Sequence, residues 1–255
     1  MVLVIAEIGI NHNGDMNLAH EMIRQAAING ADVAKFQAYS VERLFGPNGE
    51  DPNERIYNGV KPLEFNKDQF AQIKQWCDEQ DIEFMCSVFD EERLQWIEDV
   101  GVNRHKIASR TSKLSVDLAH KIAQTGKTCY MSLGFGADRL ATNIDRSNEE
   151  LALGVCETEP YPNVHNLYCV SEYPTEYANI NLPQTFDGSI GGYYGFSDHS
   201  LGIGASLAAV ARGAKVIEKH FTLSKSAVGF DHICSINPDE LSDLVKYSRE
   251  IERTI

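Results

Sequence analysis

The chain has 255 residues, a hydrophobic fraction of 43% and a formal net charge of −14 at pH 7. This length suits one (β/α)8 barrel or two small α/β domains, and the apolar content is enough for a folded core. Because the chain is strongly acidic, we expect neither nucleic acid nor an anionic membrane surface as a partner. Single lysines and arginines inside apolar segments therefore become informative.

The six cysteines and the N-terminal segment predict a cytoplasmic protein. The cysteines lack C-x-x-C or zinc-ribbon spacing, and several lie in apolar segments, where a reduced buried thiol is usual. The first residues, MVLVIAEIGINHNG, contain no basic region and no cleavage site. No segment approaches the ~20 consecutive apolar residues of a membrane-spanning helix.

Short apolar segments alternate with helical patterns along the chain, which predicts βα units around a parallel sheet. The predicted strands cover residues 2–8, 32–37, 82–88, 105–109, 128–133, 164–170, 193–197 and 215–220. The first predicted helix begins at Asp15 or Asn17 and stops at Gly30, and Pro238 opens the last one. The helices predicted between these two cover residues 66–80, 91–100, 116–124, 148–155 and 203–212, and the last helix covers residues 239–251. Residues 46–62 are rich in Gly, Pro and Asn and are predicted to form a long loop.

Eight strand candidates separated by helices predict a single TIM barrel, one domain over residues 1–255. A doubly wound open sheet is the alternative, but no G-x-G-x-x-G turn follows the first predicted strand. In a TIM barrel the C-terminal ends of the strands carry the active site. The residues at those ends are therefore the candidate site residues.

Polar residues cluster where the predicted strands end, whereas the strand interiors stay apolar. They are Glu7, Asn11, His12, Lys35, Gln37, Ser87, Lys106, Ser109, Arg110, Ser132, Ser171, Tyr173, Ser197, Asp198, His199, Glu218 and His220. This bias toward one face predicts an active site. Simpler alternatives are an edge position for Lys35 and helix-capping roles for Ser87, Ser132 and Ser197. Serines at converging helix N-termini would also suit a phosphate group.

Two histidines predict a metal site. His199 and His220 end adjacent predicted strands, and Glu218 lies two residues before His220, on the same strand face. Each histidine alone is more typical of a hydrogen-bonded core residue. Together they predict ligands for a divalent ion such as Mn²⁺, Fe²⁺ or Zn²⁺. His12 is equally compatible with a loop contact and with a substrate contact.

Five segments of the chain match a known family. They are IAEIGINHNG (5–14), ADVAKFQ (31–37), GFSDHSLG (195–202), IEKHFTL (217–223) and DHICSINPDE (231–240). In this order they resemble the sialic acid synthases, transferases that condense phosphoenolpyruvate (PEP) with N-acetylmannosamine or a related sugar. The resemblance runs over essentially the whole chain. It implies a TIM-barrel catalytic domain and a 2-keto-3-deoxy sugar acid as the product.

The resemblance also implies roles for the matching positions. His199 and His220 would bind a divalent metal, usually Mn²⁺ or Mg²⁺, with Asp198 and Glu218 supporting the metal site. The residues implied for PEP binding are Lys35, Ser87, Ser109, Arg110, Ser132 and Ser197. Catalytic roles near the sugar or the reacting centre fall to Glu7, Lys106, Tyr173 and Asp231.

The departures from the family concern the acceptor sugar. Thr111 stands in place of an acidic residue, beside Arg110, and Ser171 stands where the family often has Asn. Because residue 255 follows the predicted barrel directly, we expect this chain to lack the antifreeze-like domain that supplies a sugar-binding arginine in the family. The resemblance also implies a homodimer. Three alternatives stay open: a synthase of an octulosonate-type or other aldulosonic acid that takes a neutral or phosphorylated aldose, a metal-dependent aldolase for 2-keto-3-deoxy acids, and a non-catalytic barrel subunit.

Overall fold

The computed structural model describes residues 1–45, 54–134, 161–189 and 192–254. The predicted helix 148–155 and the first part of the predicted loop 46–62 lie outside these residues. Within the described ranges, no helix has the length and apolar character needed to cross a membrane.

Eight parallel strands close into a barrel in which each strand pairs with the next one along the chain. They are β1 (Leu3–Gly9), β2 (Val33–Ala38), β3 (Glu83–Val88), β4 (Arg104–Ile107), β5 (Thr128–Leu133), β6 (Val164–Cys169), β7 (Gly195–Asp198) and β8 (Val216–His220). The first strand also pairs with the last, with Leu3 opposite Val216 and Glu7 opposite His220. This closure confirms the TIM barrel and excludes the open doubly wound sheet, whose edge strands would stay unpaired.

Most helices lie where the sequence predicts them. The described helices are α1 (Met16–Ile28), α2 (Val41–Phe45), α3 (Glu54–Val60), α4 (Lys67–Glu79), α5 (Glu91–Val100), α6 (Ser109–Leu114), α7 (Val116–Ala123), α8 (Gly204–Ala211) and α9 (Pro238–Glu252). The start signal of α1 is Asp15, whose side chain accepts from the backbone N–H groups of Asn17 and Leu18. At the other end of the chain, Pro238 occupies the first turn of α9, as predicted.

The loop prediction for residues 46–62 is wrong where the structure describes them. Residues 54–63 form α3 and a 3₁₀ turn at Lys61–Leu63. Tyr57 and Val60 of α3 pack against an apolar cluster that the chain before it provides. This tertiary contact outweighs Gly59, which lowers the helix propensity of the segment.

The fourth strand is shorter than predicted. It ends at Ile107, and Ser109 is already the first residue of α6. The buried pattern continues across this boundary because Ser109 is itself only 8% exposed, so apolar periodicity does not mark the end of the strand. Ser109 and Arg110 therefore project from the start of a helix instead of from a strand end.

The barrel interior contains an apolar layer that supports the layer above it. The apolar layer consists of Ile5, Val33, Met85, Tyr130, Leu167 and Val216. At β7 the corresponding position is Gly195, where a Cβ atom would lie 2.2 Å from the carbonyl oxygen of Val216. Residues two positions further along each strand point to the same face, toward the C-terminal mouth of the barrel.

Candidate active site

Each strand contributes one residue to a ring inside the C-terminal half of the barrel. The members of this polar ring are Glu7, Lys35, Ser87, Lys106, Ser132, Cys169, Ser197 and Glu218. Six of them stand two residues beyond a member of the apolar layer, which is why they share its face. All are at most 5% exposed. The ring is thus a layer of buried polar groups.

Lys35 organises one half of the polar ring. Its Nζ lies 2.8 Å from Glu7 Oε2 and donates to Ser87 Oγ at 3.0 Å. Gln37 Nε2 donates to the other Glu7 oxygen at 2.9 Å. Burial opposes the charge of Lys35, but Glu218 and Glu7 outweigh it and raise the pKa of the lysine. Lys35 is therefore a buried and paired cation, and the alternative of an edge position is wrong.

Glu218 joins the two lysines of the ring. Its two oxygens lie 3.5 Å from Lys35 Nζ and 3.5 Å from Lys106 Nζ, and Ser197 Oγ donates to it at 2.7 Å. Burial opposes ionisation of Glu218, yet Lys106 and Lys35 lower its pKa to about 2. Lys106 also donates to Ser132 Oγ at 2.7 Å. The ring thus holds two ammonium groups and several hydroxyls within a small volume, which suits an anionic ligand.

Glu7 is the other carboxyl group of the ring. Burial raises its pKa to about 7, although the neighbouring Lys35 opposes the change. A carboxyl group with this pKa exchanges its proton near neutral pH, as a general base must.

His199 and His220 lie at the mouth of the barrel, with ring centroids 5.4 Å apart. Nδ1 of His199 lies 2.8 Å from the carbonyl oxygen of Val170 and donates to it, so that Nε2 carries the lone pair when the ring is neutral. Nδ1 of His220 is buried without a hydrogen-bond partner and lies 3.7 Å from Asp231 Oδ2. The ring of Tyr173 packs on His199 with a centroid distance of 4.1 Å.

This histidine pair fits a divalent metal. Burial lowers the pKa of His220 well below its usual value, and a neutral imidazole is the form that binds metals. A metal ion would also satisfy the unpartnered Nδ1 of His220. In the described part of the chain, no group of three or more His, Cys, Asp or Glu residues has a metal-binding arrangement. Among the described residues, the two imidazoles are the candidate donors for such an ion, and the metal site stays a prediction.

A cavity of about 370 Å³ opens beside His220, and we call it the mouth cavity. Its polar end is formed by Gln37, Tyr173, His220 and Asp231. The rest of its wall is mostly apolar and comprises Ile10, Tyr39, Leu44, Phe45, Ile56, Val60, Phe89 and Phe230, together with Arg110. The cavity therefore has room for a small molecule whose polar end faces His220.

Residues 22–255 match the model of the NeuB family. The chain belongs to the NeuB family. An N,N'-diacetyllegionaminic acid synthase from Legionella pneumophila is 32% identical to it over 269 residues, which cover 99% of this chain and 72% of that protein. The N-acetylneuraminate-9-phosphate synthase of Homo sapiens is 33% identical over 268 residues, covering 99% of this chain and 70% of that protein.

A solved structure agrees with this membership. The crystal structure of N-acetylneuraminic acid synthetase from Leptospira borgpetersenii, in complex with citrate, has a TM-score of 0.84 and 35% identity. The match covers 99% of this chain and 84% of that one. The predicted resemblance to the sialic acid synthases and the predicted enzyme class are thereby confirmed.

Of the six residues predicted to bind PEP in this NeuB-family chain, five lie in or beside the polar ring, and Arg110 lies elsewhere. Ser109 stands next to the ring, where its Oγ accepts from the backbone N–H of Gly134 at 3.0 Å. Arg110 points to the mouth cavity, donates to the carbonyl oxygen of Leu44 at 2.9 Å and lies 5.7 Å from the centre of the Phe45 ring. Arg110 is therefore separate from the polar ring, which contains the other four predicted PEP residues, Lys35, Ser87, Ser132 and Ser197.

Asp198 does not face the histidines, so its carboxylate makes no direct contact with them, and the predicted support of the metal site by this residue stays a prediction. It lies on the outer face of the barrel wall, where it accepts from Ser206 Oγ of α8 at 2.6 Å. Its second contact is Lys219, whose Nζ lies 3.1 Å from the carboxylate. Any influence of Asp198 on the site is indirect.

The helix-capping alternative fails for two of the three serines. The residue that caps α5 is Asp90, whose side chain accepts from the backbone N–H of Arg93. Ser87 instead accepts from Lys35. No side chain caps α8, and Ser197 donates to Glu218. For Ser132, the residues that follow Gly134 lie outside the described range.

Sequence reasoning missed one member of the ring. Cys169 occupies the β6 position and lies 3.9 Å from Nδ1 of His199. A search for polar residues at strand ends passes over it because a buried cysteine counts as apolar. Strict alternation from Leu167 would have identified it, since both residues belong to the inward face of β6.

The two positions that depart from the family pattern are buried hydroxyls. Thr111 Oγ1 and Ser171 Oγ have no hydrogen-bond partner among the described residues. A Cβ atom on Gly134 would lie 2.1 Å from Ser171 Oγ and 2.8 Å from Ser109 Oγ. Only glycine therefore allows these two serine hydroxyls to converge at residue 134.

The loop after β1 resolves the two interpretations of His12. Its ring stacks on Phe65 with a centroid distance of 4.0 Å, and its Nδ1 accepts from the backbone N–H of Gly14. Burial lowers the pKa of His12 to about 3, so the ring is neutral at physiological pH. These contacts favour the loop interpretation over a substrate contact.

Proposed function

We propose that this chain is a PEP-dependent nonulosonic acid synthase. It joins PEP to the open-chain form of an acylamino sugar and releases phosphate. The observation that carries the proposal is the polar ring, in which Lys35 and Lys106 lie buried beneath His199 and His220. The names of the family's synthases support the same reaction class.

The polar ring would hold PEP. Lys35 and Lys106 supply positive charge, and Ser87, Ser132 and Ser197 supply hydroxyl groups at the same level of the barrel. Charge-assisted hydrogen bonds bind phosphate and carboxylate oxygens more strongly than hydrogen bonds between neutral groups do. In this arrangement Glu218 keeps the two ammonium groups paired in the absence of ligand, because it lies 3.5 Å from each.

His199 and His220 would hold a divalent metal, Mn²⁺ or Mg²⁺ by family resemblance, with Fe²⁺ and Zn²⁺ as chemically suitable alternatives. When bound, such an ion supplies Lewis-acid polarisation of the acceptor aldehyde. Tyr173 and Asp231 line the mouth cavity next to His220 and would orient the acceptor there. The donation from Nδ1 of His199 to Val170 keeps the ring of this ligand in one orientation.

The condensation requires one proton acceptor from the chain. Carbon 3 of PEP forms a bond to the aldehyde carbon, which leaves positive charge at carbon 2. Water adds to carbon 2, and Glu7 accepts its proton because its pKa of about 7 suits a general base. Glu7 returns this proton to the former aldehyde oxygen, which becomes a hydroxyl group. The tetrahedral centre then expels phosphate, which leaves with the proton of the carbon 2 hydroxyl, and a 2-keto-3-deoxy acid results. All the atoms of PEP, water and aldehyde are then accounted for in the two products.

The mouth cavity indicates the class of acceptor. Eight of its wall residues are apolar or aromatic in character, which suits acylamino groups or a deoxy carbon better than a phosphate dianion. Arg110 is the observation that favours the second candidate, an octulosonate-type synthase acting on a phosphorylated aldose. Against it, this guanidinium already donates to Leu44. A cytoplasmic location and a homodimer stay predictions from the sequence.

Phosphate release from PEP tests the proposal directly. Purified protein with Mn²⁺ should release phosphate only when an acceptor is present, and the acceptor panel should include N-acetylmannosamine, its 6-phosphate, a diacetamido-trideoxyhexose and arabinose 5-phosphate. We expect the unphosphorylated acylamino sugars to be preferred. Preference for arabinose 5-phosphate would establish the second candidate instead. Absence of turnover with every acceptor, while Lys35→Met and the wild type bind PEP equally, would refute the proposed function.

A further inference from the structure

Two oppositely charged residues lie side by side on the outer face of the barrel wall. Asp198 of β7 and Lys219 of β8 are register partners, their charged atoms lie 3.1 Å apart, and both side chains are 0% exposed. The residues before them, Ser197 and Glu218, point into the barrel and hydrogen-bond to each other. Alternation along the strands therefore turns the charged pair outward, beneath α8. We call these two residues the outer pair.

The outer pair forms hydrogen bonds to three groups of Ser200. Asp198 Oδ1 accepts from the backbone N–H of Ser200 at 2.8 Å and from its Oγ at 2.7 Å. Lys219 Nζ donates to the backbone carbonyl oxygen of the same serine. Ser206 of α8 donates to the other Asp198 oxygen at 2.6 Å. The backbone at Ser200 is therefore fixed on both sides by buried charges.

These hydrogen bonds constrain the backbone beside both histidines of the candidate metal site. Ser200 directly follows His199, and Lys219 directly precedes His220. The carbonyl oxygen of His199 accepts from the backbone N–H of Thr175 at 2.9 Å, which holds the same segment from the β6 side. With its backbone held at these points, the His199 ring has one orientation in which Nδ1 reaches the carbonyl oxygen of Val170.

Stability alone does not explain why the wall contains such a pair. Burying two charges costs desolvation free energy, and an apolar pair of similar volume is often equally stable. Apolar residues would not, however, bind the N–H, carbonyl and hydroxyl groups of Ser200. We infer that Asp198 and Lys219 are positioning residues that fix His199 and His220 in the geometry that binds the metal. This inference rests on the proposed function for the identity of the ligand, but not for the orientation of the rings.

The double variant Asp198→Leu/Lys219→Met tests the inference, because neither new side chain can bind Ser200 and no buried charge is left unpaired. We expect it to fold, with a melting temperature close to that of the wild type. The Kd for Mn²⁺ or Co²⁺, measured by calorimetry on the metal-free protein, should rise by about 10–100-fold. The matched control is Glu83→Gln/Arg104→Met, which neutralises a 2.7 Å ion pair at the opposite end of the barrel and should leave this Kd unchanged.

Histidine ¹⁵N shifts supply a readout that needs no metal. In the metal-free wild type, at a pH at which the imidazole is neutral, His199 should show two well-separated ring nitrogen signals, as expected for a single tautomer with its proton on Nδ1. In the double variant these two signals should move toward an average. A His199→Ala sample assigns the signals. A wild type that binds no metal would refute the metal proposal, whereas the ring signals would still test the positioning role.

Unchanged metal affinity together with an unchanged tautomer pattern in the folded double variant would overturn the inference. If the double variant does not fold, Ser206→Ala takes its place, since it removes only one hydrogen bond to Asp198. That variant should show metal affinity lowered several-fold, with a melting temperature near that of the wild type. Wild-type affinity in Ser206→Ala, with unchanged ring signals, would equally contradict the positioning role.

Discussion

Lys35 and Glu7 form a 2.8 Å ion pair between neighbouring strands, and each side chain is only 3% exposed. Such a pair is costly to split, because removing one partner leaves the other charge buried and uncompensated. It also joins the two chemical functions proposed for the ring, since the lysine would bind the phosphorylated substrate and the carboxyl group would take a proton. Changes at either residue should therefore affect both stability and turnover.

Replacement of Lys35 with methionine should lower the free energy of unfolding by about 3–5 kcal/mol and abolish PEP turnover. The double variant Lys35→Met/Glu7→Gln should regain much of the stability, because no buried charge loses its closest partner, but it should remain inactive. Urea denaturation and a phosphate-release assay measure the two effects. Lys74→Met is the surface control: its pair with Asp78 lies on α4, and its loss should cost about 0.3–0.5 kcal/mol with full activity.

The pKa of Glu7 predicts a pH profile. Because the proposed base works only when ionised, kcat/KM should rise as the pH increases through about 7. Glu7→Gln should be slower by about 10²–10⁴-fold and should lack this rise. A glutamine variant that retains the wild-type inflection would assign the titration to another group.

Glu7 also predicts how stability depends on pH. Its folded-state pKa of about 7 lies above the ordinary value of 4.5. The folded protein thus holds this proton more tightly than the unfolded chain does. The stabilisation that follows is fully present below about pH 4.5 and is lost as the pH rises through about 7. Urea denaturation across this range should show the decline in the wild type, and Glu7→Gln should lack this component.

Replacement of His199 with alanine should remove metal-dependent turnover while the barrel stays folded. The loss of Lewis-acid assistance should lower kcat by at least about 10²-fold. Circular dichroism and metal-binding calorimetry check the fold and the site separately. His20→Ala is a suitable control because His20 stacks on Trp76, between helices and away from the mouth of the barrel. Metal-stimulated activity in His199→Ala would disprove the assignment of this ligand.

Replacement of Gly134 with alanine should disturb the hydroxyls beside the ring. The new Cβ atom would lie 2.1 Å from Ser171 Oγ, so that at least one side chain must move, at a cost of about 1–3 kcal/mol. We also expect weaker acceptor binding, seen as a higher KM. Gly204→Ala is the matched control, since nothing lies within 4 Å of a Cβ atom at that residue. Equal stability and KM in both variants would show that the hydroxyls do not need to converge.

Strand and helix positions were largely predictable from the sequence because the barrel obeys local rules. Period-two alternation places Glu7, Lys35 and Glu218 on the inward face without any knowledge of the sheet. The same rule would have placed Asp198 outward, since Ser197 faces inward. Family resemblance suggested support of the metal site by Asp198, and the outward position restricts such support to contacts with the backbone beside His199.

Long-range contacts explain what the sequence did not predict. The helix Glu54–Val60 depends on an apolar cluster formed by residues that lie earlier in the chain, including Tyr39. The orientation of Arg110 depends on the carbonyl oxygen of Leu44, which is 66 positions away. Periodicity in a short window contains no information about such partners. The size and apolar character of the mouth cavity follow from the same contacts.

The polar ring takes one residue from every strand, so its geometry depends on the register of all eight strands. A slip of one strand by a single residue would exchange its ring member for an outward neighbour, such as Ala6, Ala34 or Cys86. The strand register that forms the correct hydrogen-bond ladder is therefore also the register that assembles the polar ring. An intermediate with a partly opened barrel would have no partial activity, and heat inactivation should coincide with the cooperative melting of the sheet.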